Sequence, residues 1–245
     1  MNDYPKIQTL FKRDGNSIII PNQYTLDEFK YLENNTWECT EKIDGTNIHI
    51  DLAPVIDTDI DEVVDYKMIF NGRTERAVIP EHLLIKLKSI FDKDTLIDYF
   101  HKDNEDGKDC PITLYGEGYG KKIQNGGNYI KDDVDFILFD VKIGNWWLNR
   151  TSIEVIAKDL NLKVVPLIGY MTIPEAIEYV KKGFKSTIAE NKDYDAEGLV
   201  LKTPNGLLLR SGGRIITKIK TCDFRKFAAK YGEDYTGEQP INKHY

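Results

Sequence analysis

Residues 38–50 read ECTEKIDGTNIHI. The stretch has the alternating apolar positions of a β-strand. Its middle, however, holds Lys42, Asp44 and Gly45. Asp-Gly directly after the lysine forces a turn or a bulge. A lysine on a strand is ordinarily an edge or surface residue. What gives this one a chemical reading is the company it keeps further along the chain.

Working outward, strand-like segments dominate: 38–52, 66–74, 112–120, 135–148, 163–171, 196–211 and 216–224, mostly with turn residues between them. Asn205-Gly206 separates two apolar runs and predicts a hairpin. Four segments read as helices: Leu26–Tyr31, Glu81–Ile90, Ser152–Leu160 and Pro174–Lys182. Thr151 and Glu154 have capping-box spacing, Pro174 suits a first helical turn, and the KKGFK run at 181–185 suits a helix end rich in cations. Ala53–Lys67 is rich in aspartate and predicts an acidic loop without the spacing or central glycine of an EF-hand. HKDNEDGKDC, 101–110, reads as a solvated turn. With no repeat and no clear linker, residues 1–245 are expected to form a single α+β domain of antiparallel sheets flanked by helices.

Composition narrows the function. The 245 residues carry a net charge of −7, which disfavours tight, non-specific nucleic-acid binding but leaves room for a local basic groove. Three cysteines without CxxC spacing and four histidines without metal spacing argue against a disulfide framework or a zinc site. No apolar run reaches the roughly 20 residues needed to cross a bilayer. The N-terminus lacks the apolar core of a signal peptide. A reducing, cytoplasmic location is expected, without a membrane partner.

A nucleophilic lysine must lose a proton, and nearby cations favour that loss. Lys218 and Lys220 alternate on one face of a strand. Their mutual repulsion suits a bound polyphosphate better than a purely structural role. Glu117 in LYGEGYG and Glu197 in AEGLVLK are each followed by glycine beside an apolar run. Trp146 and Trp147 are adjacent on a strand, so one should face inward and the other outward. Lys121, Lys122, Arg210 and Arg214 sit beside these segments as candidate phosphate contacts.

In this order the motifs resemble those of the covalent nucleotidyltransferases, the superfamily of polynucleotide ligases and RNA capping enzymes. The nucleophile motif matches Lys42-Ile43-Asp44-Gly45. Arg73 in FNGRTE matches the arginine that follows a short strand, and Glu117 the ribose-binding glutamate. Phe139 in FILFDV matches the aromatic that stacks on the base. Glu197 matches the metal-site glutamate, and Lys218 with Lys220 the phosphate-binding pair. DNA ligases usually place an arginine shortly after Lys-x-Asp-Gly. Asn47 stands there in this chain, which is similar to the RNA ligase 2-like and RNA-editing group. YPKIQTLFKRD and YGEGYGKKIQNGGNY likewise resemble small phage and bacterial RNA ligases.

The resemblance implies an ATP-grasp-like nucleotidyltransferase adenylation fold and an ATP-dependent RNA ligase that forms lysyl-AMP on Lys42. AMP then passes to an RNA 5′-phosphate, and a 3′-hydroxyl displaces it. It implies Mg²⁺ or Mn²⁺ at Glu197 and a nucleotide pocket that includes Glu41, Asn47, Arg73, Glu117, Phe139, Glu197, Lys218 and Lys220. The like charge of Lys218 and Lys220 is expected to lower the pKa of Lys42. No appended oligonucleotide-binding or helical domain is expected after the Lys-x-Lys strand, so a separate RNA-binding partner is one expectation. A phage-encoded protein would work in the host cytoplasm. A minimal DNA ligase or a capping-type guanylyltransferase is the alternative within the superfamily. A nucleotide-binding scaffold without strand joining is the alternative outside it.

Overall fold

A computed structural model of the chain describes residues 3–74, 77–102 and 109–232. The polar run 103–108 and the tail from 233 lie outside the described residues. The strands are β1 (Gln8–Thr9), β2 (Phe11–Arg13), β3 (Ile19–Tyr24), β4 (Trp37–Glu41), β5 (Thr46–Asp57), β6 (Glu62–Gly72), β7 (Ile112–Gly120), β8 (Val134–Ile143), β9 (Trp146–Trp147), β10 (Lys163–Val164), β11 (Leu167–Met171), β12 (Gly198–Lys202) and β13 (Ile216–Lys220). The helices are α1 (Asp27–Tyr31), α2 (Glu81–Ile90), α3 (Lys93–His101), α4 (Arg150–Asp159), α5 (Ile173–Lys182) and α6 (Thr221–Tyr231). The fold is α+β with largely antiparallel sheets. Only β1–β13 and β10–β8 pair in parallel among the described residues.

The chain divides into two compact units. One comprises residues 1–5, 43–165 and 188–194; the other comprises 6–42, 166–187 and 195–245. In the first, β10, β8, β7, β5 and β6 form a sheet in that order, with β9 paired to β8. Alternation sorts its side chains by face. Ile48, Ile50, Leu52, Leu114, Leu138 and Val141 pack with Leu83 and Leu87 of α2, Leu96 of α3, and Ile153 and Ile156 of α4. The opposite face carries the polar row Asn47, His49 and Asp51 of β5, beside Glu117, Tyr115 and Thr113 of β7.

In the second unit the sheet order is β1, β13, β12, β4, β11. Trp37, Cys39, Leu199, Leu201 and Ile219 form its apolar face, covered by Phe29 of α1, Ile173, Ala176 and Val180 of α5, and Phe227 of α6. A capping box between Thr172 and Glu175 starts α5, and Gly183, with φ 74°, ends it after Lys181 and Lys182.

Several local expectations are corrected. The stretch 38–52 is two strands of different sheets, broken at residues 42–45. The acidic run 53–67 is mostly hairpin arm, because β5 and β6 pair through Asp57 and Glu62 and leave only residues 58–61 as the turn. Asn149, not Thr151, caps α4 through its side-chain oxygen and the Ser152 N–H. The strand expected to reach residue 224 ends at Lys220, and α6 follows at once. Asn205-Gly206 opens a longer loop whose arms meet in a single bridge at Leu208 and Arg214. Helix α3 was not expected; its start is the Asp92 cap, which accepts from the Thr95 N–H. Among the described residues no helix is long and apolar enough to cross a membrane.

Candidate functional site

Lys42 lies one residue beyond β4. Its backbone N–H donates to the Gly198 carbonyl at 2.9 Å, and Gly198 opposes Lys220 in the β12–β13 ladder. Three neighbouring strand ends thus place Lys42, Gly198 and Lys220 in one row. Glycine in the middle leaves no side chain between the two amines. Glu197 fills that space. It lies 2.5 Å from Lys42 Nζ through Oε2 and 2.6 Å from Lys220 Nζ through Oε1. The Glu197 carbonyl also accepts the Thr221 N–H at 2.9 Å, which ties the glutamate to the start of α6.

This arrangement changes the expected electrostatics. Burial opposes the charge on Lys220, but the hydrogen bond and negative charge of Glu197 outweigh it and hold its pKa above the ordinary lysine value. A carboxylate therefore separates the two amines, where direct repulsion was expected. Lys218 lies one row further along the same strand face, opposite Val200 and Thr9.

Glu41, the residue before Lys42, is engaged from within its own unit. Its carboxylate is buried at 1% exposure. It accepts from Ser186 Oγ at 2.5 Å, the Thr187 N–H at 2.9 Å and Thr187 Oγ1 at 2.6 Å. All three bonds fix the segment around residues 186–187 to the end of β4. Neither Ser186 nor Thr187 was singled out in the sequence; nothing in the local pattern marks them.

In the other unit, Asn47 and Glu117 are directly opposed on β5 and β7, and Glu117 opposes Ile137 on β8. Asn47 Oδ1 is buried without a hydrogen-bond partner among the described residues, an arrangement a ligand donor would relieve. Gly45 explains the Asp-Gly pair. A Cβ there would meet the Gly118 carbonyl oxygen at 2.4 Å and Glu117 Cγ at 2.7 Å. Asp44 is clasped: its N–H donates to the Tyr129 hydroxyl oxygen, and Asn125 Nδ2 donates to its carboxylate. Phe139 is half-buried, with the Tyr4 ring edge-on at 5.0 Å. Arg73 is exposed, one residue past β6. Trp146 is 79% exposed, whereas Trp147 packs on Tyr115 and Tyr4.

The donor set suits a divalent ion of the magnesium type. No group of three or more His, Cys, Asp or Glu side chains that could hold a metal exists among the described residues. Magnesium commonly takes one or two carboxylates, substrate phosphates and water in place of an all-protein cage. Glu197, flanked by two amines that suit phosphate, fits that habit.

Comparison with known proteins bears on the family and the fold. A search among curated proteins returns no match. Structural comparison finds Naegleria gruberi RNA ligase. An apo form of one mutant superposes with a TM-score of 0.55 at 17% identity, over 92% of this chain and 59% of that one. A second mutant, solved with ATP and Mn, gives 0.57 at 18% identity, over 91% and 59%. A third, with AMP and Mn, gives 0.54 at 17%, over 92% and 58%. The chain thus spans about three fifths of the length of these structures, and at this identity the likeness shows the nucleotidyltransferase fold. The RNA ligase family profile matches residues 35–220. That match runs from the strand before Lys42 to Lys220, over well more than half of the chain, and the chain belongs to the RNA ligase family.

Proposed function

We propose that this protein is an ATP-dependent RNA ligase acting through lysyl-AMP on Lys42. The observation that carries the reading is the Lys42–Glu197–Lys220 row. Two amines on one carboxylate at neighbouring strand ends support a nucleophile in Lys42 and a phosphate-binding role for Lys220. Lys42 Nζ attacks the α-phosphorus of ATP, the bond to the β-phosphate oxygen breaks, and pyrophosphate leaves. An RNA 5′-phosphate oxygen then attacks the same phosphorus and frees Lys42. Finally a 3′-hydroxyl attacks the adenylylated 5′-phosphate, and AMP leaves. Covalent capture divides the joining into separate displacements at phosphorus, each governed by in-line positioning and charge neutralisation.

Residue roles follow from position and chemistry. Lys218 and Lys220 hold phosphate oxygens. Phe139 stacks on adenine. Asn47 and Glu117 take the ribose hydroxyls, with Arg73 reaching from the end of β6. Glu41 acts indirectly, by holding the strand end that carries Lys42. Glu197 would hold Mg²⁺ or Mn²⁺, and the ion would supply neutralisation of phosphate charge. Before attack, Lys42 must also leave its contact with Glu197 as a neutral amine. A separate RNA-binding partner would supply the positive surface that a net charge of −7 makes scarce. The three free cysteines suit a reducing cytoplasm.

The test is to incubate the protein with Mg²⁺ and α-labelled ATP or GTP, denature it, and look for covalent label. Label from ATP, none from GTP, and none in Lys42→Ala are expected. Label persisting in Lys42→Ala would sink the assignment. Sealing of nicked duplex RNA, single-stranded RNA and nicked DNA then identifies the substrate; joining of nicked DNA alone would refute the RNA reading.

A further inference from the structure

The register of β8 carries a second argument, at the aromatic residue assigned to the base. Leu138 opposes Gly116, but Asp140 opposes Tyr115, so the ladder slips by one residue at Phe139. This is a β-bulge, which re-aims side chains along a strand. Ile137 shares the polar face with its partner Glu117, while Leu138 and Val141 point into the core. The extra residue therefore turns both Phe139 and Asp140 towards the polar face, where regular alternation would send them to opposite faces.

Tyr4 engages both. Its hydroxyl donates to Asp140 Oδ2 at 2.5 Å, and Asp140 is 1% exposed. Its ring meets Phe139 edge-on, with centroids 5.0 Å apart and an interplanar angle of 73°. Tyr115, at 5.1 Å, and Trp147, at 5.8 Å, pack on the same tyrosine ring. Tyr4 is thus held at its hydroxyl by a buried carboxylate and along its ring by two further aromatics. It cannot turn without breaking that hydrogen bond, and its edge limits the tilt open to Phe139. An edge-to-face contact has a preferred geometry, so the tether on Tyr4 becomes a constraint on Phe139.

We propose that Tyr4 is a positioning residue for nucleotide binding, fixing the orientation of the Phe139 ring through the bulge that brings Phe139 and Asp140 to one face. This rests on Phe139 being the base-stacking ring. Tyr4 touches neither phosphate nor nucleophile in this role. Its loss weakens capture of the nucleotide and leaves the chemical step intact.

The experiment measures ATP affinity by calorimetry in the non-reacting Lys42→Ala background, and ATP dependence of Lys42 labelling in the reactive protein. Variants are Tyr4→Leu, Tyr4→Phe, Phe139→Leu and the Tyr4→Leu/Phe139→Leu pair, each with a melting temperature recorded. Phe139→Leu should weaken ATP binding roughly tenfold, as expected for a lost base stack. Tyr4→Leu should approach that loss, with the labelling rate at saturating ATP within about twofold of the parent. Tyr4→Phe, which keeps the ring and loses the tether, should lose roughly threefold and remain folded. The double variant should bind no worse than Phe139→Leu alone. Unchanged affinity in Tyr4→Leu and Tyr4→Phe, or additive losses in the double variant, would overturn the positioning role alone. A silent Phe139→Leu would overturn the stacking assignment and the positioning role with it. ATP binding in the expected pattern without any label on Lys42 would overturn the ligase reading and leave the positioning role standing.

Discussion

Lys42 and Lys220 are joined through one carboxylate, each amine bound to a different oxygen of Glu197. A glutamate shared in this way holds Lys42 at the strand end and sets one negative charge between two amines. Replacing Glu197 by Ala or Gln should therefore reduce Lys42 labelling roughly 100-fold or more, the scale expected when one preorganised electrostatic group is lost. Gln should fare little better than Ala, because shape without charge neither balances two ammonium groups nor holds a divalent ion. A Gln variant that labels at the parental rate would refute this.

The raised pKa of Lys220 has a direct consequence for stability. The folded state holds this proton more tightly than the unfolded chain does. The stabilisation is fully present below the ordinary lysine value of 10.5 and is lost as pH rises through the higher folded value. Lys220→Met removes the titrating group. The melting temperature of the parent should exceed that of the variant at pH 7–9, and the gap should narrow above about pH 10.5. A gap that widens with alkali would contradict the assigned pairing.

Much of this site was legible because its chemistry is local in sequence. Glu-Gly beside an apolar run, Lys-x-Lys on one strand and Asp-Gly after a lysine are each short patterns with a physical cause. The clash awaiting any side chain at Gly45 is such a cause. What stayed hidden depends on distant partners. Alternation reads 38–52 as one strand with a turn or bulge at Asp44-Gly45; that its two halves join different sheets depends on strands elsewhere in the chain. The Phe139 bulge has no signature in FILFDV; it exists only in the register against β7. The hydrogen bonds of Glu41 were hidden for the same reason: its donors lie about 145 residues away.

Glu41 offers a separate test of positioning. Its buried carboxylate serves three donors from Ser186 and Thr187. Truncation to Ala leaves those donors without their acceptor and should destabilise the fold by about 3 kcal/mol, given the cost of unsatisfied buried groups. Glu41→Gln retains one acceptor oxygen and should cost about half as much. Ser186→Ala should cost about 1 kcal/mol, because it removes one donor and leaves two. Urea denaturation reads all three. Equal stability of Glu41→Ala and the parent would show that the carboxylate does not hold this segment.

Two glycines, one in each unit, make the sharpest stereochemical prediction. A Cβ on Gly198 would lie 2.0 Å from the Ile219 carbonyl oxygen, and the residue sits at φ 149°. A Cβ on Gly45 would lie 2.4 Å from the Gly118 carbonyl oxygen. In both cases the obstacle is backbone, which cannot rotate away as a side-chain tip can. Gly198→Ala should push β12 from β13 at the row that holds Glu197 and Lys220. Gly45→Ala should displace Glu117. Each should cost about 1–3 kcal/mol, as overpacking does, and each should lower Lys42 labelling by more than its stability loss explains. Gly127 is the control, since a Cβ there meets nothing within 4 Å. Gly127→Ala should melt and label like the parent. Parental labelling in Gly198→Ala would mean that the close approach of β12 to β13 is dispensable for the reaction.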